Sequence, residues 1–231
     1  MFIFLDTETT GTEKNDRLCQ LAYKTASSAI VNELFKPPLP ISIGSMCIHH
    51  ITNEMVADKP AFKDSKDHQK LVNLLNDDKN ILVAHNAKFD VDMLEKEGVH
   101  PKRVICTLKL ARHLDPEGKI PRHSLQYLRY FLGIKIEANA HDALGDILVL
   151  EKLFERLFIK MTKDIGPAAV ENKMMDISSR PVLLSRMTFG KHKGVLFREI
   201  PGDYLQWLSG QGDLDEDLRF TVGHYLSRNN Q

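Results

Sequence analysis

The chain has 231 residues, 42% of them hydrophobic and 27% charged, which sets it among ordinary globular proteins with room for one large domain or one domain plus a small appendage. Its formal net charge is zero, so composition alone does not argue for a nucleic-acid partner, and no apolar run is long enough to cross a membrane. Cys19, Cys47 and Cys106 form no CxxC pair and read as buried reduced thiols; with no basic region ahead of the short Phe2–Leu5 run, the expectation is a cytoplasmic protein.

Phe2–Leu5 is a continuous apolar run and reads as a central buried strand. Residues 18–23 and 29–35 are two further strand candidates joined near Ser27 and Ser28, giving a three-stranded meander that Pro37, Pro38 and Pro40 then interrupt. Leu71, Leu74 and Leu75 give residues 65–76 helical spacing. Ile81–Ala84 is a short buried strand, 87–97 a helix stopped by Gly98, and Val104–Cys106 another short strand. Residues 124–131 and 142–158 read as amphipathic helices, the second carrying Leu144, Ile147, Leu148, Leu150, Leu153, Phe154 and Leu157. Strands first, then helix and strand in alternation, predict an α/β layered domain with a mixed sheet. Composition shifts after about residue 163. Gly166-Pro167 is expected to open a short linker helix with Pro167 near its first turn, and Ser178-Ser179-Arg180-Pro181 to end it. The domain scheme is therefore 1–163, a linker at 164–179, and a small module at 180–231.

Four acids carry most of the chemical information. Asp6 and Glu8 are two apart on a predicted strand, so period-two geometry puts both on one face, at the end of an apolar run where α/β sheets usually carry their sites. Asp90 falls early in the helix after Ile81–Ala84, and Asp146 in the first turns of the 142–158 helix. Carboxylates are hard oxygen ligands suited to Mg²⁺ or Mn²⁺. Four together repel one another unless cations are present, and with two divalent ions they make a site for in-line displacement at phosphorus. Gly11, in Thr9-Thr10-Gly11, would let backbone approach a nucleotide closely. His141 precedes Asp146 by five residues, roughly 140° apart on an ideal helix, so it is expected in the loop entering the helix as a general base that swings in over the substrate. Its ordinary titration near neutrality suits that task, and a surface histidine at a helix start would read the same way.

These residues resemble the three motifs of the DEDDh, or DnaQ-like, 3′→5′ exonucleases: Asp6-Thr7-Glu8-Thr9-Thr10-Gly11, His85-Asn86-Ala87-Lys88-Phe89-Asp90, and His141 with Asp146. Ile48-His49-His50-Ile51-Thr52 is similar to the family's His-Gly-Ile segment, with His50 in place of glycine. Cys106-Thr107-Leu108-Lys109-Leu110-Ala111-Arg112 is similar to its Asp-Thr-Leu-x-Leu-Ala-Arg segment, with Cys106 in place of aspartate. A sister group has tyrosine one position after the histidine, where this chain has Asp142. The resemblance implies a ribonuclease H-like fold for 1–163 and removal of nucleoside 5′-monophosphates from DNA 3′ ends, single-stranded or overhanging. It implies two divalent cations, Mg²⁺ with Mn²⁺ as a substitute, held by Asp6, Glu8, Asp90 and Asp146, with His141 helping to deprotonate the attacking water. It also implies that Thr7, Thr9 and Gly11 line the terminal nucleotide and that His49 and Phe89 pack against sugar or base. Asn86 is a substrate contact or a helix cap.

In the C-terminal module, residues 180–198 hold Arg180, Arg186, Lys191, Lys193 and Arg198 and no acid. Gly190 and Gly194 flank Lys191-His192-Lys193, an exposed tight turn that either follows a DNA backbone or is a solvated hairpin. Tyr204, Leu205, Trp207, Leu208, Leu218, Phe220, Val222 and Tyr225 are expected in the module's core. Two further readings stand beside the DNA exonuclease: an exoribonuclease of the ribonuclease T or oligoribonuclease type, and a catalytically silent nucleic-acid-binding module on the same fold.

Overall fold

The computed structural model describes residues 1–25, 30–136, 143–212 and 214–229. Its centre is a sheet built from β1 (Phe2–Thr9), β2 (Leu18–Thr25), β3 (Val31–Leu34), β4 (Ile81–Ala84) and β5 (Val104–Cys106). The spatial order is β3-β2-β1-β4-β5; β1, β2 and β3 pair antiparallel, while β4 and β5 run parallel to β1. This is the expected mixed sheet, and the antiparallel part is the expected meander. The Ser27–Ser28 connection lies outside the described residues.

Period-two alternation along β1 serves two different cores. Ile3 and Leu5 face a layer made by α3 (Lys66–Asn76) and α4 (Ala87–Lys96), with Leu71, Leu75, Leu82 and Leu94 buried among them. Phe2 and Phe4 face the other way, against α7 (Ala143–Ile165), where their rings meet Phe154 at 4.7 and 5.5 Å. Both faces are covered, which is why β4 reads as an unbroken apolar run: Ile81, Leu82, Val83 and Ala84 are all fully buried.

Several helices lay beyond the sequence patterns. The α1 (Ile43–His49) and α2 (Asn53–Val56) helices follow the proline segment, and α5 (Thr107–His113) leads directly from β5, whereas α6 (Leu125–Phe131) is the helix expected at 124–131. The α7 helix runs to Ile165, past the expected Phe158, until Gly166 turns the chain at φ 83°. Pro167 lies in the turn that follows, not in the first turn of α8 (Val170–Ser178). On α8, Val170, Met174 and Ile177 are buried in the main core with α7. Cys47 is exposed on α1, against the expectation of three buried thiols; Cys19 and Cys106 are buried.

The C-terminal residues have an apolar cluster of their own: Leu184, Met187, Phe197, Ile200, Leu205, Leu208, Leu218 and Val222. Half of it comes from α9 (Gly202–Ser209) and α10 (Glu216–Asn229). Trp207 and Phe220 do not join it; both are exposed, at 57% and 46%. Asp217 ties the module to the main body. Its carboxylate accepts from Arg112 on α5 at 2.5 Å and from the Val182 N–H at 3.0 Å.

Candidate active site

The β1–β4 pairing ends at Phe4↔Val83, yet β1 continues to Thr9 alongside β2. Past Phe4 one edge of β1 therefore has no strand neighbour, and the crevice lies beyond the carboxyl end of β4. Asp6 and Glu8, opposite Ala22 and Gln20, share the face of β1 that looks toward α7. Asp146 arrives from the start of α7, the face where Phe2 and Phe4 also pack. Asp90 arrives from the first turn of α4, on the opposite layer, and reaches β1 through the gap left by β4.

Three of the carboxylates respond to their surroundings electrostatically. Burial, and then the charges of Asp90, Glu8 and Asp146, push the Asp6 carboxyl well above the ordinary aspartate range. Burial first, with Asp146 and Asp90 adding to it, raises Glu8 to about 7. Burial also raises Asp90 to about 7, although hydrogen bonds from Thr7 oppose the rise. The sequence-predicted acids are thus brought into one electrostatic unit. Among the described residues, no three His, Cys, Asp or Glu side chains are drawn in around a common ligating point. Asp90 Oδ1 is engaged by the Thr7 N–H and hydroxyl at 3.1 and 2.8 Å, and Asp146 Oδ1 by the Gln126 amide from α6. Four hard oxygen donors whose charged forms repel one another are the donor set that divalent cations relieve, so these residues fit such ions.

The segment after Glu8 is fixed by its own bonds. The Thr9 hydroxyl donates to the Gly11 carbonyl at 2.7 Å, the Thr10 hydroxyl to Asp16 Oδ1 at 2.6 Å, and the Ser42 N–H to the Thr10 carbonyl at 3.0 Å. At Gly11 a Cβ would collide with the Asp16 carboxylate. His49 is buried, with both ring nitrogens satisfied. Nδ1 accepts the Ile51 N–H at 3.1 Å, so Nε2–H donates to the Thr9 carbonyl, also at 3.1 Å. Burial lowers its pKa, which keeps the ring neutral. His49 therefore braces the strand end through backbone, and neither nitrogen is spare for a substrate. Asn86 takes the helix-cap position of α4 in the left-handed region, at φ 66°, with no side-chain cap bond and with its side chain exposed. Phe89, half-buried, lines a cavity of about 500 Å³ with Thr12, Lys14, Asp92 and Met93. His141 lies outside the described residues, as do Asp142 and the stretch leading to them.

Two supporting residues had no role assigned from the sequence. Gln126 holds Asp146, and Arg129 Nη1 in turn approaches Gln126 Oε1 at 3.4 Å. His85 Nε2–H donates to the His123 carbonyl at 2.8 Å, and its Nδ1 pairs with the Thr107 hydroxyl at 2.9 Å; burial lowers its pKa to about 4. It binds the end of β4 to the loop ahead of α6. For His85 the signal lies inside the His85–Asp90 motif; a lone glutamine near a helix start carries none.

A mixed five-stranded sheet with flanking helices and clustered acids beyond the carboxyl ends of its parallel strands defines a ribonuclease H-like exonuclease. The profile of the RNase T family, described as "Exonuclease", matches residues 3–154, and a profile described as "Putative quorum-sensing-regulated virulence factor" matches residues 180–218. Exodeoxyribonuclease 10 of Escherichia coli strain K12 is 35% identical over 98% of this chain and 99% of its own length. The DNA polymerase III subunit epsilon of Buchnera aphidicola subsp. Acyrthosiphon pisum is 35% identical over 66% of this chain and 70% of its own. A solved structure, exonuclease X in complex with 5′ overhanging duplex DNA, superposes with a TM-score of 0.59 at 29% identity, covering 77% of this chain and 99% of that one. The chain belongs to the DnaQ-like RNase T exonuclease family, whose membership implies use of divalent metal ions. Among the described residues, no helix is long and apolar enough to cross a membrane.

Proposed function

We propose that the protein is a 3′→5′ exodeoxyribonuclease that releases nucleoside 5′-monophosphates from single-stranded or overhanging DNA 3′ ends, in the service of DNA repair. The observation that carries the reading is the mutual electrostatic coupling of Asp6, Glu8, Asp90 and Asp146 at the end of β1. Its similarity to exodeoxyribonuclease 10 along nearly its whole length supports DNA as the substrate. The same reading makes it a cytoplasmic enzyme, where its DNA substrate is.

In this reading Asp6, Glu8, Asp90 and Asp146 hold two Mg²⁺ ions, with Mn²⁺ as a substitute. Bound there, the ions neutralise phosphate charge, lower the pKa of the attacking water and stabilise the departing 3′-oxyanion. Every other part of the mechanism belongs to the chain. Thr7 keeps Asp90 oriented toward β1, and Gln126 does the same for Asp146. His141 takes the proton from the attacking water and returns it to solvent. Thr7, Thr9 and Gly11 line the terminal nucleotide through backbone and small side chains, while Phe89 and Asn86 contact it from α4. Residues 1–163 carry the chemistry, and 180–231 is an added module.

Position of label tests the polarity. An oligonucleotide labelled at its 3′ end should lose its label at once as mononucleotide, whereas the 5′-labelled strand should shorten through a ladder. A 5′-labelled strand that yields mononucleotide first would overturn the reading.

A further inference from the structure

The C-terminal module presents a surface that the active site does not use. Residues 186–196 form a hairpin closed by the Arg186↔Leu196 bridge, with the Met187 N–H donating to the Val195 carbonyl at 2.9 Å and the Gly194 N–H to the Met187 carbonyl at 2.8 Å. Its tip is Gly190-Lys191-His192-Lys193-Gly194, and both glycines have positive φ, 67° and 83°. A Cβ at 190 would stand 3.2 Å from the Tyr204 hydroxyl oxygen, a tight contact. The tip therefore lies against α9. The His192 ring meets Tyr204 at 4.5 Å, and Tyr204 meets Trp207 at 5.3 Å.

This row of rings ends in solvent: Trp207 is 57% exposed, although its neighbours Leu205 and Leu208 on the same helix are buried. An indole left out of an adjacent apolar core offers a free π-face. Lys191 and Lys193 on either side of His192 are exposed, and neither forms an ion pair among the described residues. The hairpin is not loosely attached. Arg186 donates to the carbonyls of Gly194 and Gly118 at 2.7 and 2.9 Å, and the Ser185 hydroxyl to that of Asp115 at 2.8 Å. Its base is thus bonded to the loop that leads into α6, the helix whose Gln126 holds Asp146.

Positive charge interleaved with exposed aromatic rings is the chemistry that takes a single nucleic-acid strand: cations meet phosphates while rings stack on bases without regard to sequence. We propose that the Lys191–Lys193 turn and the His192–Tyr204–Trp207 edge form a second, non-catalytic contact for single-stranded DNA, with Trp207 stacked on a base. The proposal rests on the exonuclease reading above, which supplies the strand, but its test is separable.

Trp207 is the chain's single tryptophan, so its emission reports this surface alone. The intact protein would be titrated in EDTA with a long oligothymidylate and with one of about four nucleotides, short enough to occupy only one site. The long strand should quench Trp207 saturably and the short one should not. By anisotropy, Trp207→Ala should bind the long strand roughly 5- to 100-fold more weakly, the range for losing one base–aromatic stack. The Lys191→Ala/Lys193→Ala pair should also weaken binding, while Phe220→Ala, an exposed ring on α10, should not. Long-strand binding with unchanged emission and an unaffected Trp207→Ala variant would overturn the proposal. So would equal quenching by inorganic polyphosphate, which has charge but no bases. Hydrolysis of the short strand in Mg²⁺ is scored separately: hydrolysis of it with no quenching by the long strand ends this proposal and leaves the exonuclease reading, and quenching by the long strand with no hydrolysis does the reverse.

Discussion

Thr7 and Asp90 stand 83 residues apart in sequence and are joined twice, the Thr7 N–H and hydroxyl both donating to Asp90 Oδ1 at 3.1 and 2.8 Å. The pair spans the place where β4 stops and β1 goes on. These bonds favour the ionised carboxylate, against the burial that raises it to about 7.

Thr7→Val keeps the branched shape that suits a strand and removes only the hydroxyl donor. Asp90 should then titrate higher still, so at limiting metal the acid limb of the pH–rate profile should move to higher pH. Loss of a charge-assisted bond should cost about 1.5–3 kcal/mol, read by urea denaturation. An unmoved acid limb would mean that Asp90 does not govern it.

The crowded acids make the metal-free protein pH-sensitive. Asp6, Glu8 and Asp90 all have folded-state pKa values above those of an unfolded chain. The folded state therefore binds more protons between the ordinary carboxylate range and about 7, and its stability falls as pH rises across that window. Buried neutral His85 works in the opposite direction, costing stability as pH drops below the usual histidine value toward about 4. Comparing variants separates the two: in EDTA, Asp6→Asn should flatten the decline in Tm between pH 5 and 8 that wild type shows. Mg²⁺ should restore wild type more than the variant. Parallel Tm profiles would contradict the electrostatic account of the site.

His50 caps α1 at φ 60°, in the left-handed region, where the family's His-Gly-Ile segment has glycine. A branched-free but bulky side chain pays about 1–2 kcal/mol there, partly offset by the extra freedom glycine has when unfolded. His50→Gly should raise stability by up to about 1 kcal/mol, seen as a higher Tm. A lower Tm would mean that the imidazole makes a compensating contribution.

Asp217 is nearly buried and receives both the Arg112 guanidinium and the Val182 N–H. Asp217→Ala leaves a cation and a backbone donor without their partner, at a cost of about 3 kcal/mol. The module should detach before the main core unfolds, so limited proteolysis should cut near Arg180 in the variant and not in wild type. Equal resistance of the two would show that apolar packing alone holds the module.

The strands and the acids were legible because both rest on local rules. Alternation put Asp6 and Glu8 on one face, and the unbroken apolar runs at 81–84 and 104–106 marked strands covered on both sides. What stayed hidden depends on partners distant in sequence. Nothing near Gln126 announces that its amide meets Asp146, and nothing near His49 announces that Thr9 and Ile51 engage its two ring nitrogens. Apolar type says that Trp207 wants cover, not that Leu205 and Leu208 have already filled the core beside it. The short α1 and α5 helices carry too few turns for periodicity to register, and Cys106 at the start of α5 replaces a good capping aspartate with a side chain that makes no cap bond.

The most direct measurement is degradation of 5′-labelled single-stranded DNA and the matching RNA, in Mg²⁺ and in EDTA, by wild type and by Asp6→Asn. The account predicts a Mg²⁺-dependent ladder on DNA, none in EDTA, and none from the variant despite a folded spectrum. A ladder on RNA alone would keep the acidic site and replace the substrate. A ladder from Asp6→Asn at wild-type rate, or one that persists in EDTA, would contradict the claim that this carboxylate cluster performs the hydrolysis.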